Sequence, residues 1–218
     1  MKIRSLEELD DKISQETAWR KRELTTSLKR LQGSPDSQRV ALRSGVLLLY
    51  AHWEGWVKNV AMLYLEYVRS QRLSYDELSE AFLGSALKSK FSEFERAFEP
   101  TTHNNFARFL REGLDTRATF SSELIRTESN LSSKVFSDVL VRLGLPQRSQ
   151  YLTRAHLIDE KLVGLRNSIA HGQYAKLEEK DFRQLQSDIL ELLELFTDDV
   201  KNAASTKSYL ANSVCRVS

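Results

Sequence analysis

The chain has few of the residues that mark several protein classes. Its 218 residues include one cysteine, three prolines and eight glycines. The single cysteine, Cys215, excludes a disulfide framework or a cysteine-based zinc site within one chain, and it fits a reducing cytosol. The longest strongly apolar run, VLLLYA, is much shorter than the roughly 20 residues that span a bilayer. The amino-terminal stretch contains acids and is unlike a secretory signal, so we expect a cytoplasmic protein that does not enter a membrane.

The net charge is only +2, but it is spread unevenly. Residues 1–72 hold 13 basic and 9 acidic side chains, whereas residues 178–200 hold 2 basic and 8 acidic ones. This asymmetry leaves room for a polyanion near the first half, although solvated helix faces give similar imbalances. Some basic residues could guide RNA, although an ordinary solvated surface charge is the simpler interpretation of each: Arg20, Lys21, Arg22, Lys88, Lys90, Arg108 and Arg111.

The spacing of apolar residues predicts an all-α protein. They recur at three- and four-residue steps, and no segment alternates with a period of two. A first amphipathic helix covers residues 6–31 and ends at the GSP of residues 33–35. Asp36 or Ser37 is expected to cap a second helix, whose wide apolar stripe over residues 46–68 predicts burial on most sides.

Shorter helices are predicted over residues 74–148. Ser74 is expected to cap one that Pro100 closes, and Asn130 or Ser132 to cap a later one. Because the longest and best-patterned helices lie at the two ends of the sequence, this segment is interpreted as an insertion rather than a second domain.

Two further helices, over residues 156–171 and about 178–203, complete the predicted core. We therefore predict a single domain, 1–218, built as a four-helix up-and-down bundle. The insertion, 74–148, separates the second and third core helices, and residues 204–218 form a carboxy-terminal tail.

The helix over residues 156–171 ends in the sequence LRNSIAHG. On a wheel of about 100° per residue, the core stripe holds Ile158, Leu162, Leu165 and Ile169. Asn167 and His171 share a face away from that stripe, with Gly164 between them and Arg166 on the flank. Small and polar residues there predict a face that docks against another helix or a second copy of the chain.

A purely structural interpretation of this ending is also open. A cationic ring favours the negative end of a helix dipole, and Gly172 can take the left-handed conformation that terminates a helix. Arg166 could then pair with Glu160 or with an acid of the last helix. Spacing alone favours this interpretation, since an Arg and a His five apart are common in helices.

Three stretches of the sequence resemble the HEPN superfamily. LRNSIAHG is similar to its signature, an Arg usually followed by a polar residue, with a His a few residues later near the end of the third core helix. YAHWEGWVKN and RTESNLSSKVFSDVLVRLGL resemble one bacterial toxin and defence branch. The resemblance covers roughly residues 36–70 and 157–203, and ESNL extends it into the insertion.

The resemblance implies a homodimer that joins two Arg–His pairs, and a metal-independent endoribonuclease without a cofactor. Four scattered His and one Cys leave no evident metal-ligand cluster in the sequence. RNA supplies its own nucleophile, the 2′-hydroxyl, so the protein needs a proton-exchanging group and a cation. His171 fits the first role and Arg166 the second, with Asn167 orienting the ring or binding a phosphate oxygen. The expected products are a 2′,3′-cyclic phosphate and a 5′-hydroxyl.

Glu54 and Tyr174 are candidate supporting residues. The resemblance implies that a polar residue of the second helix approaches the active face, and Glu54 could orient His171 or Arg166. An ion pair of Glu54 with Lys58 is equally natural. Some family toxins carry a Tyr two residues after the His that a partner nucleotidyltransferase modifies. Tyr174 stands three residues after His171, so that modification is not predicted.

Three functions follow as hypotheses. The leading one is a ribonuclease acting as a toxin or anti-phage effector, with an antitoxin or defence-complex partner. The second is a non-catalytic helical module that binds RNA, a nucleotide or a protein through the same face. The third is a regulatory or scaffold subunit of a larger defence complex.

Overall fold

The computed structural model describes residues 2–120, 125, 130–174 and 176–211. Within these ranges the chain is helical throughout apart from turns, loops and two isolated extended bridges, which confirms the all-α prediction. The helices are α1 (Leu6–Lys29), α2 (Pro35–Ser70), α3 (Glu80–Arg96), α4 (Pro100–Glu112), α5 (Ser133–Arg142), α6 (Ser149–Thr153), a π-helix (Leu157–Gly164), α7 (Leu165–Ala170) and α8 (Glu179–Ser205).

Two predicted helix starts are wrong by several residues. Ser34, not Asp36 or Ser37, caps α2, because its hydroxyl accepts from the Ser37 N–H and Pro35 fits the first turn. Ser74 does not cap α3. Its N–H and hydroxyl bond to the Glu77 carboxylate, which stabilises a local turn, and α3 begins only at residue 80.

Of two further predicted helix boundaries, the one at Pro100 is wrong and the one at Ser132 is confirmed. Pro100 begins α4 rather than closing α3, since a proline at the first helical position loses no hydrogen bond. Ser132 caps α5 as predicted, by accepting from the Val135 N–H.

The core forms around α2, which contacts α1, α8, α7 and the π-helix. Its predicted apolar stripe is buried, and so is that of α8. Trp53 and Trp56 are fully buried within the core. Their ring N–H groups reach across the core, Trp53 to the Leu131 carbonyl and Trp56 to the Thr197 hydroxyl, both at 2.9 Å. These contacts fit a four-helix core, and the up-and-down order stays a prediction.

The end of the chain packs against the start of the predicted insertion. The Ser79 N–H donates to the Tyr209 carbonyl and the Ala211 N–H to the Glu77 carbonyl, and Tyr209 is buried. Residues up to 211 are therefore fixed to the 77–79 turn. Cys215 lies outside the described residues. None of the described helices combines the length and apolarity that a membrane crossing requires.

The close packing of α2 on α8 predicts the effect of a single methyl group. A Cβ at Gly45 would lie 2.6 Å from Cζ of the buried Phe182 ring. We expect Gly45→Ala to lower the free energy of unfolding by about 1–3 kcal/mol, because the ring has to shift in a filled core. Urea unfolding measures this change.

Gly84→Ala is the matched control for that substitution. Gly84 lies inside α3 with open space around it, so alanine there should stabilise the protein by about 0.5–1 kcal/mol through helix propensity. Equal effects of the two substitutions would contradict close packing at Gly45.

A buried charged cluster joins α1 to α2. Arg20 is 6% exposed, so the proposal that it guides RNA is wrong. Its guanidinium donates to Glu16 Oε1 and lies 3.2 Å from Nδ1 of the buried His52. On the other side of that ring, Nε2 is 2.9 Å from the Glu23 carboxylate. A Cβ at Gly55 would meet the Arg20 guanidinium at 2.7 Å, so a larger residue there would require the Arg20 side chain to shift.

This cluster makes stability depend on pH. Burial, and then the charge of Arg20, lowers the pKa of His52 against the carboxylates of Glu23 and Glu16. Burial raises the pKa of Glu16, but hydrogen bonds from Asn59 and Arg20 outweigh it and the net direction is down. Both groups therefore bind protons less readily in the folded chain than in the unfolded one.

We expect the stability contributed by His52 to be complete above about pH 6.5 and to be lost as the pH falls below it. One such group changes the free energy of unfolding by at most about 1.4 kcal/mol per pH unit. Urea unfolding from pH 7.5 to 5 measures the slope. His52→Asn keeps an acceptor for Arg20 and should reduce that slope, whereas an unchanged slope would contradict a lowered pKa.

Candidate functional site

The helix that carries the LRNSIAHG sequence begins as a π-helix and continues as α7. A π-turn bonds residues five apart, so the 100° wheel does not apply before residue 165. Ile158, Leu162 and Ile169 are buried as predicted. Leu165 is half-buried but packs against the core, and Val163, which was not placed on the stripe, is buried as well.

The helix ends at His171 with a left-handed glycine. Gly172 has φ of 73°, its N–H donates to the Ile169 carbonyl, and the Gln173 N–H donates to the Ser168 carbonyl. This Schellman motif satisfies the last carbonyl groups and confirms the predicted helix ending. The Arg43 guanidinium binds the Gln173 carbonyl at 2.9 Å and fastens the following loop to α2.

The ending leaves His171 and Tyr174 at the surface. Both are exposed, Tyr174 to 78%, and neither side chain makes a hydrogen bond within the described part of the chain. A Cβ at Gly164 would meet only the Asp159 carbonyl, so no other described helix packs on that position. Of the two predicted occupants of this face, a helix from the described part of the same chain is not found at Gly164.

Arg166 is held by two amide oxygens and one aromatic ring. Its Nη1 donates to Asn130 Oδ1 at 2.8 Å and to Asn167 Oδ1 at 2.7 Å. Its Cζ lies 4.5 Å from the centroid of the Tyr50 ring, in the geometry of a cation–π contact. The described contacts of Arg166 therefore do not include Glu160 or an acid of α8, the partners that the purely structural interpretation suggested.

These contacts use one end of the guanidinium. Nε and Nη2 donate no hydrogen bond to any described residue, and Arg166 is half-buried rather than enclosed. Parallel N–H groups of this kind form the fork that binds a phosphate through two hydrogen bonds. The arrangement is thus a fixed cation with a donor edge left for an anion.

Tyr50 connects Arg166 to Glu54. The Tyr50 hydroxyl accepts from the Leu131 N–H at 2.8 Å. Burial, and then the charge and hydrogen bond of Glu54, raises the pKa of Tyr50, and the Leu131 N–H and Arg166 act in the opposite direction. Glu54 therefore interacts with the Tyr50 hydroxyl, and the Tyr50 ring contacts the Arg166 guanidinium. Its predicted role as an orienter of Arg166 or His171 stays a prediction.

Two residues of this arrangement were not predicted as site residues from the sequence. Tyr50 fits the apolar stripe of α2 and looks like any core aromatic, and Asn130 looks like a helix cap. A signal did exist for both, because they lie within the YAHWEGWVKN and ESNL stretches. Residues 126–129 of the latter region lie outside the described residues.

The described residues contain no group of three or more His, Cys, Asp or Glu side chains that could hold a metal ion. The predicted Arg166 and Asn167 are brought into contact, and His171 follows one helical turn after Asn167, whose carbonyl accepts the His171 N–H at 3.0 Å.

Comparison with protein families gives a match over most of the chain. The model of the family described as MAE_28990-like HEPN matches residues 9–209, which is most of the chain. The chain belongs to this HEPN family. No curated protein and no solved structure matches it. Family membership extends the HEPN resemblance across α1 to α8, including the segment that contains Asn130.

The contact between Tyr50 and Leu131 predicts a stability effect. Tyr50→Phe keeps the ring under Arg166 but leaves the buried Leu131 N–H without its acceptor. We expect the free energy of unfolding to fall by about 1–3 kcal/mol in urea. Tyr174→Phe removes a hydroxyl from an exposed ring and should change it by less than about 0.5 kcal/mol. Equal stability of the two variants would contradict a structural role for the Tyr50 hydroxyl.

Proposed function

We propose that this HEPN protein is a metal-independent endoribonuclease that acts as a toxin or anti-phage effector. The observation that carries the proposal is the fixed Arg166 guanidinium, whose Nε and Nη2 donate no hydrogen bond to any described residue, on the helix that ends at the exposed His171. Many HEPN proteins are ribonucleases, and family membership supports the same chemistry here.

The proposed reaction uses the substrate's own hydroxyl. The 2′-oxygen bonds to the adjacent phosphorus, the bond from phosphorus to the 5′-oxygen breaks, and a 2′,3′-cyclic phosphate and a 5′-hydroxyl remain. A neutral imidazole takes the proton of the 2′-hydroxyl, and a protonated one supplies a proton to the departing 5′-oxygen. His171 is the residue proposed for these transfers. Arg166 stabilises the negative charge that grows on the phosphate oxygens.

A homodimer would supply both imidazoles. In one chain His171 is a single exposed ring, whereas two copies placed across an interface provide one ring for each proton. The half-buried Gly164, Asn167 and Ser168 leave a low, polar surface beside it on which a second copy could dock. We propose that the complete site is composite, with an Arg166 and a His171 from each subunit.

Cleavage of RNA by the purified protein tests the proposal directly. Activity should persist in EDTA, and the fragments should end in cyclic phosphate. His171→Ala should lower kcat by about 100- to 10,000-fold, the usual contribution of general acid–base catalysis. His156→Ala, which removes another exposed His of the same helical region, is the matched control and should cut like the unmodified protein. Equal rates for the two variants would refute the assignment of His171.

Arg166→Ala should relieve growth arrest caused by expression of the protein, if the enzyme is an effector. Sedimentation at micromolar concentration tests the dimer, and a strict monomer that still cuts RNA would refute a composite site.

A second function has one observation in its favour. His171 makes no side-chain hydrogen bond to the described residues, whereas Arg166 is firmly held, which suits a module that grips an anion without catalysis. Binding of RNA by Arg166 without any cleavage would favour this alternative, in a toxin–antitoxin or defence complex.

A further inference from the structure

The turn of residues 130–133 is fixed between two core helices. Both backbone groups of Leu131 bond to α2, the N–H to the Tyr50 hydroxyl and the carbonyl to the Trp53 ring N–H. Leu131 itself is fully buried. These two hydrogen bonds and the buried Leu131 side chain fix the position of the turn against α2.

The other end of the turn is tied to the π-helix. The Ser133 N–H and hydroxyl both donate to the Asp159 carboxylate, at 2.7 and 2.6 Å. Asp159 belongs to the same helical stretch as Arg166, so the turn and the arginine share one support. The turn is therefore attached to the helical stretch that carries the guanidinium.

Asn130 projects from this turn onto Arg166. Its Oδ1 accepts from Nη1 at 2.8 Å, next to the bond that Nη1 makes with Asn167. The Tyr50 ring that carries the guanidinium belongs to the same residue whose hydroxyl holds Leu131. The Tyr50 ring and the Asn130 oxygen both constrain Arg166. Both are therefore positioned by the same contact between α2 and the 130–133 turn, the hydrogen bond of Tyr50 with Leu131.

We infer that Asn130 is a positioning residue that orients the Arg166 guanidinium, so that its Nε and Nη2 edge faces the bound phosphate. The inference rests on the proposed function for its chemical purpose. A neutral amide suits this task, because it accepts from Nη1 without cancelling the positive charge that the phosphate requires. The predicted insertion therefore contributes to the site through the turn that precedes α5.

Two variants separate positioning from simple support of the fold. Asn130→Ala removes the acceptor and should lower kcat for RNA by about 10- to 100-fold with a smaller change in KM, because a misplaced group loses most in the transition state. Asn130→Asp keeps the acceptor and the shape but adds a negative charge. It should hold Arg166 at least as firmly and still cut RNA slowly. Asn104→Ala, on the exposed surface of α4, is the matched control and should be unchanged.

Nuclear magnetic resonance of the Arg166 guanidinium gives a readout independent of activity. Its signals are assigned by their disappearance in Arg166→Lys. We expect hindered rotation about the Cζ–Nη1 bond in the unmodified protein and in Asn130→Asp, and averaged signals in Asn130→Ala. Thermal unfolding shows whether each variant is folded. If Asn130→Ala does not fold, the Arg166 signals of Asn130→Asp provide the test.

The outcomes distinguish this inference from the proposed function. Unchanged Arg166 signals in folded Asn130→Ala overturn the inference, whatever the activity. Averaged Arg166 signals in folded Asn130→Asp also overturn it, because the acceptor at this position would then not be what holds the guanidinium. An unmodified protein that cuts no RNA, but whose Arg166 is released by Asn130→Ala, refutes the ribonuclease and supports the positioning role.

Discussion

The length and width of the apolar surface on α2 is the constraint around which the rest of the chain is arranged. A 36-residue helix with buried residues along most of its length needs partners on several sides, and no single helix can cover it. Helices α1 and α8, α7 and the π-helix each take one side. Short turns take part as well, and their polar groups reach the side chains of α2. A residue such as Tyr50 is therefore both a core residue and a hydrogen-bonding partner.

Charged and polar groups in this protein lie where elements distant in sequence have to be joined. The Arg148 guanidinium and the Tyr151 hydroxyl both bind the buried Asp199 carboxylate, which attaches the chain before the π-helix to α8. The Arg20 and His52 cluster does the same for α1 and α2. An unpaired buried charge is costly, so each such group favours one arrangement of the helices over alternatives of similar apolar burial.

Periodicity predicted the all-α class and the buried stripes of α2 and α8, because a stripe recurring over many turns outweighs local exceptions. It failed where a decision rests on one or two hydrogen bonds. Ser74 is as good a cap in sequence as Ser34, and only the position of Glu77 shows that it forms a turn. The same limit applies to the site. Arg166 and Asn167 were found because one short stretch, LRNSIAHG, resembles a family signature, whereas Asn130 is 36 residues away in sequence and meets Arg166 only in the folded chain.

The π-helix before α7 determines which side of α7 faces the core. It holds Ile158 and Leu162 in the core, and α7 then resumes the ordinary pitch with Ile169 buried and Arg166 on Tyr50. If the same 8 residues formed α-turns instead, everything after Gly164 would rotate by about 100° relative to the first half of the helix. Either Ile169 would leave the core or Arg166 would leave the ring. The π-turns therefore set the angle between the first half of this helix, which packs in the core, and the second half, which carries Arg166.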